Sequence, residues 1–149
     1  MFIPNDVKII LDCLKNNGYG SYIVGGSIRD FINGKALPKD YDVATNALPE
    51  EIIKLFNKTV PTGIKHGTVT VMINGEGYEV TTYRIDGEYL DNRRPEGVTF
   101  VSNLKEDLAR RDFTINALAF NEEDGLIDYF NGIEDIGNKI IRAVGEPNK

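Results

Sequence analysis

The chain has 149 residues, 41% of them hydrophobic and 27% charged, with a formal net charge of −6. That is enough apolar residue for one ordinary core without a disulfide or metal staple, and the acidic balance argues against a broad basic face for gripping nucleic acid. The single cysteine, Cys13, excludes a disulfide framework and fits a reducing cytoplasm. No run approaches the length of a membrane span, and the N-terminus lacks signal-peptide features.

In chain order, Val7, Ile10, Leu11 and Leu14 recur at helical spacing from Asn5 to Asn16, and Asn17-Gly18 stops the pattern. Cys13 falls among these apolar residues and reads as a buried structural thiol. A strand at residues 21–24 runs into Gly25-Gly26, a helix follows at 27–32, and Gly34 closes it before Leu37-Pro38. Residues 41–44 form the next strand. Residues 45–49 then lead into a helix at 50–56, with Pro49 suited to its first turn.

Alternation at residues 68–73, a turn at Asn74-Gly75-Glu76-Gly77 and a return at 78–83 predict an antiparallel hairpin. Residues 84–95 are polar and long enough for a mobile flap. Helix resumes near Asn103, breaks around residues 111–114 and restarts as a short helix carrying Ile115 and Leu118. Beyond it, short strands alternate with turns at Asp124-Gly125 and Asn131-Gly132, without repeats or low-complexity tracts. The fold class is α/β of the mixed α+β kind: a small twisted mixed sheet backed by helices on one face, with an irregular C-terminal portion.

The chemistry concentrates in two places. Gly25 and Gly26 allow a sharp turn and close approach of backbone N–H groups to an anion, Ser27 opens the next helix, and Arg29 adds a forked donor suited to phosphate. Asp40 and Asp42 are two apart, so on a strand they share one face and can reach a divalent cation together. Each piece alone has a bland reading, as turn or solvated acid, but strand, Gly-Gly-Ser, Arg29 and the Asp-Tyr-Asp run in this order point to nucleotidyl transfer.

The second place is Arg110-Arg111-Asp112-Phe113-Thr114-Ile115-Asn116-Ala117, which offers phosphate forks, a carboxylate for ribose hydroxyls and an amide; a solvated helix end with an internal ion pair is the plain alternative. Glu79 becomes a third acid if its strand pairs beside the Asp42 strand in the right register, and otherwise faces solvent. His66, the only histidine, reads as a scaffold residue and is assigned no catalysis.

These segments together, Tyr22 to Asp30, Asp40 to Thr45, His66 to Val71, Glu79 to Arg84 and Arg110 to Ala117, resemble the N-terminal head domain of bacterial class II tRNA nucleotidyltransferases (CCA-adding enzymes) and the related poly(A) polymerases. Both belong to the DNA polymerase β-like superfamily. The resemblance covers nearly the whole chain. It implies that Asp40 and Asp42 bind two magnesium ions, with Glu79 at the place of the superfamily's third carboxylate. Gly25, Gly26, Ser27 and Arg29 would hold the triphosphate, and Arg110, Arg111, Asp112 and Asn116 would contact phosphate and ribose. Residues 85–95 would match a flexible loop that helps switch from CTP to ATP.

By the same resemblance the substrates are CTP and ATP, the acceptor is the 3′ end of tRNA or another RNA, and the location is cytoplasmic. Poly(A) polymerase is the nearest alternative, and a non-enzymatic nucleotide-binding module a remote one. In the family, the base is read by a Glu-Asp-x-x-Arg motif in a neck domain, which these residues lack. The whole of residues 1–149 is therefore expected to be a head domain without the neck, body and tail, and to depend on them for RNA grip and for efficient turnover.

Overall fold

The computed structural model describes residues 3–32, 41–86, 98–111, 113–139, 141–142 and 144. Helix α1 (Asn5–Asn16) forms where expected, burying Val7, Ile10, Leu11 and Leu14 along one stripe. It ends because Gly18 turns left-handed at φ +90°, which lets the N–H groups of Gly18 and Tyr19 reach back to Lys15 and Leu14 carbonyls at 3.0 Å. Next come β1 (Ser21–Val24), α2 (Gly26–Ile32), β2 (Asp42–Thr45) and α3 (Pro49–Leu55). Pro49 takes the first position of α3, and the Glu51 side chain accepts the Leu48 N–H at 2.8 Å, fixing the helix start.

The remaining elements are β3 (Thr59–Gly63), β4 (Thr68–Ile73), β5 (Glu76–Thr82), β6 (Arg84–Asp86), β7 (Val98–Phe100), α4 (Leu104–Ala109), β8 (Ala119–Asn121), β9 (Gly125–Ile127) and α5 (Gly132–Gly137). Seven strands make one sheet in the order β3-β4-β5-β2-β1-β8-β9, and β6 and β7 form a separate ribbon. The β2–β5 pair is parallel, and the other described pairs are antiparallel. The mixed α+β fold class therefore holds.

Strand alternation sorts the interior into two cores. Ile23, Val43 and Val80 point to the face covered by α1, α2 and α3, where they join Ile10, Leu14, Ile28 and Ile52. Val24, Ala44 and Ala119 point to the opposite face and pack with Leu104 and Leu108 of α4. Helices thus lie on both faces. The helix at α4 is too short to advertise its side by periodicity alone.

Other differences from the sequence reading have local causes. The β4–β5 turn tightens to Asn74 and Gly75, at φ 52° and 83°, the left-handed pair that a two-residue hairpin turn requires. Strand β3 was hidden because it is a polar edge strand containing Pro61, without apolar alternation. Residues 84–86 of the expected flap are strand, paired with β7, and residues 87–97 lie outside the described residues.

The short helix expected around Ile115 is a single 3-10 turn, Thr114–Asn116, with Leu118 beyond it. Asn131-Gly132 starts α5 instead of linking strands, with Asn131 itself left-handed at φ 64°. Cys13 is only half-buried, with its thiol 3.8 Å from the Leu55 carbonyl oxygen, and burial pushes its pKa up. No helix among the described residues is long and apolar enough to cross a membrane.

Candidate active site

The turn between β1 and α2 opens a cavity of about 560 Å³, lined by Gly25, Gly26, Arg29, Asp42, Arg110, Arg111, Phe113 and Asn116. Its volume falls in the range of small-molecule sites. Residues more than eighty positions apart in sequence meet here because β1 runs antiparallel to both β2 and β8, so the β1 C-terminal end, the start of β2 and the turn before β8 converge.

Gly25 sits at φ +81°, which ordinary side chains avoid. Its own N–H is committed to the Leu118 carbonyl at 3.3 Å, so the donors left at this bend are those of Gly26 and Ser27, which open α2 and have no acceptor within the helix. Absence of side chains keeps the cavity wall thin. A methyl on Gly25 would lie 3.6 Å from Arg111 Nη1, and one on Gly26 would lie 3.5 Å from Arg29 Nη2.

Arg29 is held at two points: Nη1 donates to Asn116 Oδ1 at 2.9 Å, and Nε stands 3.7 Å from Asp30 Oδ1. Asn116 is in turn positioned by its 3-10 turn, which α5 clamps. Thr114 Oγ1 donates to Asp135 Oδ2 at 2.6 Å, Arg142 Nε donates to the same carboxylate at 3.1 Å, and the Thr114 N–H donates to the Arg142 carbonyl at 3.0 Å. The Thr114 hydroxyl, followed by Arg142, holds the Asp135 carboxyl below the usual carboxylate range.

Arg110 and Arg111 lie at the end of α4, with only about a fifth of each side chain exposed. Burial pulls the Arg111 pKa down, and its like-charged neighbour Arg110 adds to this, while Asp107 and Asp42 oppose it. A guanidinium nevertheless stays protonated, so the wall carries buried positive charge. Arg111 Nε is buried without a hydrogen-bond partner among the described residues, while its Nη1 lies beside the Gly25 bend that opens the cavity.

Asp42, at the first position of β2, is exposed and lines the same cavity. Its register partner in the parallel neighbour is Glu79, so the two carboxylates lie on one sheet face with backbones about 4.8 Å apart. The strand pairing thus places Glu79 beside Asp42, although Glu79 does not line the cavity. Oxygen donors of this kind suit a hard divalent cation. Asp40 and Asp112, both assigned roles from the sequence, lie outside the described residues. Among the described residues no group of three or more His, Cys, Asp or Glu side chains forms a metal site.

Ser27 differs from expectation. Its side chain is buried in the α2 interface, Oγ has no hydrogen-bond partner among the described residues, and it does not line the cavity. Only its backbone N–H is placed at the bend. His66 is exposed, and its carbonyl accepts from Arg84 Nη1 at 2.5 Å, a scaffold contact.

Three contributors went unassigned from the sequence. Phe113, exposed on the cavity wall, lay within the quoted motif as its one aromatic. Asp107 carried a legible signal, standing three and four residues before Arg110 and Arg111 on a helix. Asp135 had none, because its partner Thr114 is 21 residues away and is met only in the fold.

The CCA-adding enzyme of Lactobacillus helveticus is 54% identical over 140 residues, a match covering 94% of this chain and 35% of that protein. A crystal structure of the Bacillus stearothermophilus CCA-adding enzyme in complex with CTP superposes with a TM-score of 0.86 at 46% identity, covering 97% of this chain and 35% of that one. A tRNA nucleotidyltransferase complexed with a primer tRNA and an incoming ATP analog gives 0.71 at 34% identity, covering 91% and 39%. The chain thus spans little more than a third of the length of each. The family model described as Poly A polymerase head domain matches residues 21–142, and with the strand order and the Gly-Gly and Arg-Arg segments converging on one cavity, the chain belongs to that family.

Proposed function

We propose that this chain is the catalytic head of a cytoplasmic tRNA nucleotidyltransferase that adds CMP and AMP from CTP and ATP to the tRNA 3′ end. The observation that carries the reading is the single cavity in which Arg29, Arg110 and Arg111 face Asp42 across a glycine bend. A triphosphate requires the cations, and a divalent ion requires the acid. Both requirements meet in one cavity.

Arg29, fixed by Asn116, and the Arg110–Arg111 pair would take the phosphate oxygens through forked charge-assisted hydrogen bonds. The Gly26 and Ser27 N–H groups would add uncharged donors at the bend. Asp42 together with Asp40 would hold magnesium, with Glu79 adjacent in the sheet. Magnesium at such a site lowers the pKa of the attacking hydroxyl and neutralises charge on the leaving pyrophosphate. The protein's part is positioning: the RNA 3′ oxygen forms a bond to the α-phosphorus in line with the bond that breaks to pyrophosphate. Base choice and tRNA grip are assigned to neck, body and tail sequence outside these residues.

The test is addition of labelled CMP and AMP to tRNA lacking its terminal CCA, with this head joined to the neck, body and tail sequence that supplies base choice and tRNA grip. Asp42→Asn, a change at an exposed position, is expected to leave the melting curve within about 0.5 kcal/mol of the parent and to cut turnover about 1,000-fold or more. Retained turnover rejects the assignment. The family's description also suggests poly(A) synthesis; preference for ATP alone on unstructured RNA would favour that reading.

A further inference from the structure

We infer that Asp107 is a positioning residue for nucleotide binding, an anionic hinge pin that holds Arg110 and Arg111 aimed into the cavity. The inference rests on the triphosphate reading above. Asp107 is 1% exposed, on α4, and its carboxylate joins the two arginines at the end of its own helix to the backbone of β6. Oδ1 lies 3.5 Å from Arg110 Nε and accepts the Arg84 N–H at 3.0 Å, at the start of β6. Oδ2 lies 3.7 Å from Arg111 Nη2, too far for a hydrogen bond, and has no hydrogen-bond partner among the described residues.

A buried carboxylate with one oxygen left so loosely paired is costly unless it serves another group. Here the other group is a pair of adjacent, largely buried guanidiniums that repel one another. One anion between them offsets that repulsion and pins the β6 backbone, while its long contacts leave terminal guanidinium donors, such as Arg111 Nη1 beside the Gly25 bend, for a ligand. Without the charge, the two arginines would separate toward solvent. The competing effect is that Asp107 weakens the pull of the arginines on phosphate. The geometry favours positioning, because the guanidiniums are already buried and have to be kept there.

The experiment compares wild type, Asp107→Asn and Asp107→Glu in calorimetric titrations with CTP and with inorganic triphosphate, alongside thermal melts and steady-state kinetics. Asparagine keeps an acceptor for the Arg84 N–H and loses the charge. Its affinity for both ligands is expected to fall about tenfold or more, with KM rising more than kcat falls, and glutamate is expected to recover most of the loss. A lower melting temperature with unchanged affinity, or tighter binding, overturns the inference. Wild type that binds neither ligand overturns the triphosphate reading as well, whereas wild type that binds while Asp107→Asn binds equally overturns this one alone. A measurement that needs no variant is side-chain Nε–H relaxation of Arg110 and Arg111 without nucleotide. Ordered guanidiniums are expected, and freely mobile ones reject the role.

Discussion

At the scale of single residues, the cavity depends on what side chains lack as much as on what they carry. Gly25 combines φ +81° with a backbone N–H already spent on Leu118. The nearest atom to a methyl there, Arg111 Nη1, is at an ordinary 3.6 Å, so the penalty for Gly25→Ala is conformational, about 1–2 kcal/mol. A chemical denaturation midpoint unchanged by that substitution would contradict it. Arg29 illustrates the opposite case, in which identity of the head group decides. One arm of its fork holds Asn116 at 2.9 Å, and lysine cannot serve both that amide and a phosphate oxygen. Arg29→Lys is expected to weaken CTP binding about tenfold, a loss of ~1.4 kcal/mol, and calorimetry that shows equal affinity removes Arg29 from the phosphate site.

Among elements, the 3-10 turn Thr114–Asn116 is the piece whose placement most depends on a neighbour. Alpha-helix α5 meets it so closely that a methyl on Gly132 would sit 2.1 Å from the Thr114 carbonyl oxygen, and Asp135 receives the Thr114 hydroxyl and Arg142. The Asp135 carboxyl is held below its ordinary value, first by the Thr114 hydrogen bond and then by Arg142. A depressed folded pKa means that its stabilising contribution is complete above the unfolded value of about 3.9 and is lost as pH falls through the lower folded value. Asp135→Asn is therefore expected to melt lower at neutral pH and to show a flatter fall in melting temperature below about pH 4 than wild type. Parallel curves for the two proteins would reject the clamp.

For the whole molecule, one sheet separates two unequal cores. The larger, under α1 to α3, draws mainly on residues 3–80 and is completed by Leu118, and the smaller, under α4, secures the wall that carries Arg110 and Arg111. Leu108 is fully buried in the smaller core. Its truncation to alanine is expected to cost about 2–5 kcal/mol, and CTP at 100 times its dissociation constant is expected to restore about 2.7 kcal/mol by mass action. Thermal melts with and without CTP measure both effects, and a melting point indifferent to CTP in wild type would remove nucleotide from the picture. Net charge and local charge also part company at this scale. An overall charge of −6 coexists with a cavity bearing Arg29, Arg110 and Arg111 because net charge sums over the whole chain whereas the cavity is set by its own lining, and elsewhere on the surface the exposed acids Glu122 and Glu123 pair with Lys8 and Lys15. Such exposed pairs contribute little to stability.

What the sequence determined alone was everything governed by neighbours along the chain. Helical spacing in α1, the glycine bend after β1, the Asn74-Gly75 turn and the arginine pair are written in residues a few positions apart, where φ preference and side-chain period act directly. Tertiary structure decided the rest. Only the parallel pairing of β2 with β5 puts Glu79 beside Asp42, only the seating of β6 against α4 brings the Arg84 N–H to Asp107, and only α5 gives Thr114 its partner. Those relations join residues whose separation leaves no local trace, because strand register and helix docking are set by burial of the whole apolar surface, not by any one segment's preference.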